Sequence, residues 1–145
     1  MKLALISSVG GHLTDLLALQ QAFEGHEVFW VLNDVSPVLP QGARAYLVTH
    51  AERDLRVLQN LWEFAAVFAR EQPDLMVSTG AGPAVPAAIV ARLMGIQVIF
   101  IEPASAVTDL TLTGRLIRPL TRAFFVQWPQ LRSKVPGARY HGGVL

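Results

Sequence analysis

Apolar strand-like runs alternate with helical runs along the whole chain, which predicts an α/β protein built on an open, doubly wound parallel sheet. The strand-like runs are continuously apolar, without the polar/apolar alternation of a half-exposed sheet, so both faces are expected to be covered. The composition agrees: 52% of residues are hydrophobic and 16% charged, against roughly a quarter charged in an average domain. A length of 145 residues suits one domain, 1–145, with a sizeable core. Crossovers in such a sheet are right-handed, and ligands sit at the carboxyl ends of the strands.

Lys2–Ser7 reads as the first strand and Leu13–Phe23 as a helix, followed by a strand at Glu27–Leu32. A proline-rich loop, Ser36–Pro40, leads to a short strand at Ala45–Val48. Asp54–Arg70 reads as a long helix, Leu75–Ser78 as a strand, and Ala84–Met94 as a helix with Pro83 at its start. Gln97–Ile101 is the next strand, Thr111–Leu120 is helical up to the Pro119 region, and Ala123–Gln127 returns to strand. The loops at the carboxyl edge are then Ser8–His12, Asn33–Gln41, Thr79–Pro83, Glu102–Asp109 and Trp128–Gln130. No internal repeat or low-complexity segment interrupts this order.

Charge and composition narrow the function classes. A net charge of +1 provides no global basic field, so no nucleic-acid partner is expected. Without cysteine there is neither a disulfide framework nor a thiolate metal site, and a cytosolic setting is expected. Met1-Lys2 leads straight into a strand, with no signal-peptide pattern. The longest uncharged stretch, Leu75 to Ala91, is broken by Gly80, Gly82, Pro83 and Pro86 and falls short of the ~20 apolar residues of a membrane span. Any membrane association is expected to be peripheral or through a partner.

Several constellations bear on chemistry. Ser7-Ser8-Val9-Gly10-Gly11-His12 joins the first strand to its helix. Such a junction either serves as a tight packing turn or turns backbone N–H groups towards an anion or a sugar, with His12 as a group that titrates near neutrality. Ser78-Thr79-Gly80-Ala81-Gly82-Pro83 is a second glycine-rich strand–helix junction with the same two readings. Glu102, after the fifth strand, is placed to bind sugar hydroxyls or pair with a histidine, or is a solvated strand-end charge. Arg115, Arg118 and Arg122 recur at spacings of three and four, expected on one helical face. That face is either solvated or turned to a phosphate or an anionic membrane surface. The helix at Asp54–Arg70 carries Leu61, Trp62, Phe64, Val67 and Phe68 almost all round, which fits a deeply buried element or, the preferred reading, an interface. Gly10-Gly11, with Asp34 after the second strand, raises a dinucleotide-binding oxidoreductase as an alternative, although the first loop is not G-x-G-x-x-G.

Four ordered blocks carry a resemblance: Ser78-Thr79-Gly80-Ala81-Gly82-Pro83, Ile101-Glu102-Pro103-Ala104-Ser105, Leu110-Thr111-Leu112-Thr113-Gly114-Arg115-Leu116 and Phe125-Val126-Gln127-Trp128-Pro129. Together they resemble the acceptor-side subunits of split glycosyltransferases, the Alg14 type of the dolichol pathway and the bacterial PssD/EpsE type. Gly10-Gly11-His12 resembles the glycine–histidine loop of MurG-type transferases. The resemblance implies a Rossmann-like N-terminal half of a GT-B glycosyltransferase that binds a lipid-linked acceptor. A separate donor-binding, Alg13/PssE-like subunit would bring the UDP-sugar to the interface, which the tail Tyr140–Leu145 approaches. It implies His12 and Glu102 as catalytic groups, and Gly10, Gly11, Gly80, Gly82, Ser105, Arg115 and Arg118 as acceptor-binding groups, with no cofactor and no metal. The chain has no membrane helix of the eukaryotic kind, so the resemblance places it in the cytoplasm, peripheral on the inner face of the cell membrane. A non-catalytic, membrane-recruiting scaffold is the alternative within the same resemblance.

Overall fold

The computed structural model describes residues 1–34, 38–51 and 54–144. Strands β1 (Lys2–Ser7), β2 (Glu27–Leu32) and β3 (Ala45–Leu47) step outward to one side. Strands β4 (Leu75–Gly80), β5 (Gln97–Ile101), β6 (Ala123–Val126) and β7 (Arg139–Tyr140) step outward to the other. The sheet order is β3-β2-β1-β4-β5-β6-β7, and every pairing is parallel. The order reverses between β1 and β4, and a crevice opens at the carboxyl ends of strands at such a switch point. The predicted sheet class is thus the observed one. Positions 36–37 of the proline-rich loop, and Leu145 of the tail, lie outside the described residues.

Helices α1 (Gly11–Ala18), α2 (Arg56–Glu71), α3 (Ala84–Leu93), α4 (Leu112–Ile117) and α5 (Pro129–Lys134) cover the sheet. One core layer joins Phe29, Met76, Phe100 and Phe124 of the sheet to Phe64 and Phe68 of α2 and Ile117 of α4. The other layer is smaller and joins Leu5, Trp30 and Leu32 to Leu13 and Leu16 of α1. Beside α1, that second face keeps an apolar groove of about 580 Å³, floored by Leu75, Val77, Ile99, Ile101 and Phe125. The segment from His141 to Val144 also lines it.

Three elements differ from expectation. The helix predicted at Leu13–Phe23 is α1 followed by a separate 3₁₀ turn, Gln20–Phe23, none of whose side chains is buried. Phe23 packs only partly buried against the core, so a regular helix there gains little from packing. The helix predicted at Thr111–Leu120 ends at Ile117 and continues as a 3₁₀ turn, Arg118–Leu120. Pro119 lacks the N–H that an α-helix would use. The three arginines therefore do not share one helical face: Arg122 lies beyond the turn and donates to Gln97 Oε1, and Arg118 donates to the Pro136 carbonyl. Finally, α5 and β7 fall where a loop and a tail were expected.

Helix α2 accounts for its own composition. Phe64 and Phe68 are fully buried, while Leu58 and Trp62 point outward, Trp62 being 80% exposed. With Ile89 and Leu93 of α3 and Met94 just after it, they line an open apolar groove of about 480 Å³. Among the described residues, no helix is long and apolar enough to cross a membrane.

The amino edge of the sheet is closed by charge. Glu71, at the end of α2, meets Lys2 Nζ at 2.7 Å and Arg44 Nη2 at 3.1 Å. It also accepts from the Tyr46 hydroxyl. Arg44 in turn reaches Glu27 at 2.8 Å.

Candidate functional site

The β1 and β4 loops meet at the switch point. The Ser8 N–H donates to the Gly80 carbonyl at 3.0 Å, and the Ala81 N–H donates to Ser8 Oγ at 3.2 Å. The two glycine-rich junctions singled out in the sequence are therefore one structural unit. Beside them opens a cleft of about 800 Å³, with Ser8, Asn33, His50, Gly82 and Thr113 as polar or backbone walls. Val57, Val85, Leu112 and Leu116 supply its apolar side. Such a mixed lining suits a ligand with a polar head and an apolar portion.

His12 stands at the start of α1, half-buried. Its Nδ1 lies 2.9 Å from the Thr79 carbonyl oxygen. A carbonyl only accepts, so in the neutral imidazole Nδ1 carries the proton and Nε2 the lone pair. The buried Thr79 hydroxyl donates back to the His12 carbonyl, which brackets the residue from both sides. Gly80 makes this approach feasible: its φ is +105°, and a Cβ there would lie 3.1 Å from His12 Nδ1. The imidazole packs beside Gly80, whose chain neighbours Ala81 and Gly82 line the cleft, while His12 itself is not among the cleft-lining residues.

A second histidine marks the cleft. The Val9 N–H donates to Asn33 Oδ1 at 3.1 Å, which orients that amide. Asn33 Nδ2 then donates to His50 Nδ1 at 2.9 Å, so His50 is the opposite tautomer from His12. Sequence reasoning missed Asn33, His50 and Thr79. The end of a β2 or β4 run marks the place of the first and the last, but the loop carrying His50 bears no such signal.

Glu102 follows β5 and is fully buried. Its carboxylate accepts from the Thr111 N–H at 2.8 Å and the Thr111 hydroxyl at 2.7 Å. Thr111 in turn caps α4 by accepting from the Gly114 N–H. Burial pushes the Glu102 carboxyl above its ordinary value, against the Thr111 hydrogen bonds and the Arg115 charge. Its contacts lead to α4 and not to His12, and a buried carboxylate is not presented to sugar hydroxyls. Gly114 is required here, because a Cβ would fall 2.0 Å from Glu102 Oε1.

The remaining expected site residues divide. Gly10 and Gly11 are exposed at the start of α1, Gly80 ends β4, and Gly82 lines the cleft. Ser105 is exposed on the loop after β5. Arg115 is exposed on α4, close enough for its charge to be felt at Glu102. Arg118 is turned to the Pro136 carbonyl, between α5 and β7 and thus towards the amino edge. The fold does not bring it to the cleft. Among the described residues, no group of three or more His, Cys, Asp or Glu could hold a metal ion.

Residues 45–144 match the family described as oligosaccharide biosynthesis protein Alg14 like. The chain belongs to this family. Among curated Alg14 relatives, the mouse UDP-N-acetylglucosamine transferase subunit is 33% identical over 92 residues, covering 59% of this chain and 42% of that protein. The human subunit is 22% identical over 182 aligned positions, covering all of this chain and 83% of that protein. The chain spans less than half of the mouse relative in the matched region. Among solved structures, MurG of Acinetobacter baumannii superimposes with a TM-score of 0.79 at 18% identity, over 99% of this chain and 46% of that one. The UDP-GlcNAc 2-epimerase of Methanocaldococcus jannaschii gives 0.77 at 17% identity, over 99% and 46%. These likenesses show the fold: the Alg14-like chain has the Rossmann-like architecture of one half of such two-domain enzymes.

Proposed function

We propose that this Alg14-like chain is the acceptor-side subunit of a UDP-sugar-dependent glycosyltransferase. The observation that carries the reading is the His12 tautomer. With Nδ1–H held by the Thr79 carbonyl, Nε2 is available as a general base beside the switch-point crevice. An acceptor lies in the cleft and extends across Gly80 to bring a hydroxyl to Nε2. That oxygen attacks the anomeric carbon, His12 takes its proton, and the nucleoside diphosphate leaves. Gly10, Gly11, Gly80 and Gly82 supply backbone to the acceptor; Ser105 and Arg115 flank it. Glu102 acts through Thr111, by holding the start of α4 where Leu112 and Leu116 line the cleft.

The acceptor is a lipid-linked sugar, in keeping with a cleft that has polar walls and an apolar side. The donor is held by a separate, Alg13/PssE-like subunit, in keeping with relatives that are named as subunits. The exposed apolar face of α2 and α3 is the surface for peripheral attachment to the inner face of the membrane. That same face favours the second reading, a scaffold that recruits a catalytic partner without taking part in chemistry. Gly10-Gly11 and Asp34, two residues past β2, are the features that spoke for a dinucleotide enzyme, and neither the family nor the cleft adds to them.

The test is to co-purify the chain with its partner and assay transfer from UDP-sugars to a lipid-pyrophosphate-linked acceptor. Transfer that needs both chains supports the reading. Full transfer by the partner alone to a soluble acceptor makes this chain a scaffold.

A further inference from the structure

Helix α1 begins in open space. A Cβ on Gly10 or Gly11 would meet nothing within 4 Å, and the helix start has no side-chain cap. Leu13 and Leu16, 1% and 0% exposed, set how deep the helix lies. Apolar contact turns this face to the sheet but is non-directional, and leaves the finer rotation about the helix axis to directional bonds. The first is the His12–Thr79 bracket to β4. The second is one turn further on, at Asp15, which is 3% exposed. Asp15 Oδ2 accepts from the Ala104 N–H at 2.9 Å and from Gln127 Nε2 at 3.3 Å.

Gln127, 5% exposed, uses both ends of its amide. Nε2 also donates to the Glu102 carbonyl at 3.0 Å, and Oε1 accepts from the Val144 N–H at 3.0 Å. A continuous path of hydrogen bonds thus runs from the carboxy-terminal segment through Gln127 and Asp15 to the helix that carries His12. We propose that Asp15 and Gln127 are positioning residues for His12, and that through Gln127 the segment at Val144 sets the orientation of α1. This deepens the reading of His12 as the base and rests on it only for the effect on turnover. Because Gly142, Gly143 and Val144 line the groove under β4, β5 and β6, an occupant of that groove meets the segment and is felt at His12 by the same path.

The test reads His12 directly, in the isolated chain, from imidazole ¹⁵N spectra and from amide exchange along α1. Wild type shows a single Nδ1–H tautomer. Gln127→Met keeps the volume and removes the bonds, and Asp15→Ala removes the anchor. Both give a mixture of tautomers and exchange in α1 about tenfold faster relative to α2. Asp15→Asn still offers an oxygen to both donors and keeps the wild-type spectrum. Val144→Pro removes the N–H that Gln127 Oε1 accepts, leaves Gln127 and Asp15 in place, and gives the same change at about two- to threefold. It keeps the test open should Gln127→Met fail to fold.

An unchanged His12 spectrum and unchanged α1 exchange in folded Gln127→Met and Val144→Pro overturn the proposal. So does an Asp15→Asn protein as perturbed as Asp15→Ala, since charge and not bonding would then be at work. Absence of sugar transfer leaves these spectra untouched, so failure of the functional reading is separable from failure of this one.

Discussion

At the amino edge of the sheet, the buried Glu71 meets the Lys2 ammonium, the Arg44 guanidinium and the Tyr46 hydroxyl. At the carboxyl edge, Glu102 meets the N–H and hydroxyl of Thr111, and Asp15 meets an N–H and an amide. Glu71 and Glu102 are both buried but oppositely treated. Burial pushes Glu71 up, yet the Lys2 and Tyr46 hydrogen bonds and the Arg44 charge outweigh it and leave its carboxyl below the ordinary value. For Glu102 burial prevails over Thr111 and Arg115, and the carboxyl is raised. One edge thus gains stability from an ionised carboxylate, whereas at the other Glu102 is held by the uncharged Thr111 donors at a cost to its charged form. Costs of that kind concentrate where a fold positions groups for chemistry.

The largest effect expected from this contrast is at Gly114. Gly114→Ala drives a methyl into the Glu102 carboxylate and costs about 2–3 kcal/mol in urea unfolding. A cost near zero would mean that the Glu102–Thr111 latch is loose. Next comes the pair Glu71→Gln and Glu102→Gln. At neutral pH Glu71→Gln costs about 1–2 kcal/mol, because donors placed for a carboxylate lose part of it. Glu102→Gln is tolerated within about 1 kcal/mol, since its environment already favours the uncharged form.

Their pH profiles differ in sign. The contribution of Glu71 is in place above the ordinary carboxyl value of 4.5 and is lost as pH falls through its lower folded value. That of Glu102 is in place below 4.5 and is lost as pH rises through its higher folded value. Each glutamine variant flattens its own limb of the stability–pH curve, and two variants that flatten the same limb would erase the contrast. A smaller effect, about 1 kcal/mol, is expected for Gly80→Ala, which strains a positive φ and displaces the His12 ring. The His12 imidazole spectrum should change along with it. Smallest is Trp62→Ser on the outer face of α2, within about 0.5 kcal/mol, because that ring is already exposed. A large loss there would place Trp62 in the core and remove the surface assigned to membrane contact.

The same contrast marks what could be read from the sequence. Lys2–Ser7, Glu27–Leu32 and Gln97–Ile101 are observed with the expected bounds, because apolar runs buried on both faces announce themselves. The glycine-rich junctions were legible too, and the fold brings them together. What escaped is a property of pairing across the fold. Asp15 is one acid in an apolar helix, and Gln127 one amide after a strand, 112 positions away along the chain. Nothing local in either marks a shared bond. Arg118 was misplaced because a spacing of three and four describes a helix only while the helix lasts, and α4 ends one residue earlier.

The central claim is that Nε2 of His12 is the base at the switch point. Its most direct measurement is transfer by the assembled complex with His12→Ala in place of the wild-type chain. The account predicts a fall in kcat of about 10²–10⁴-fold with little change in KM for the acceptor. Unchanged turnover in a folded, assembled His12→Ala complex would contradict it.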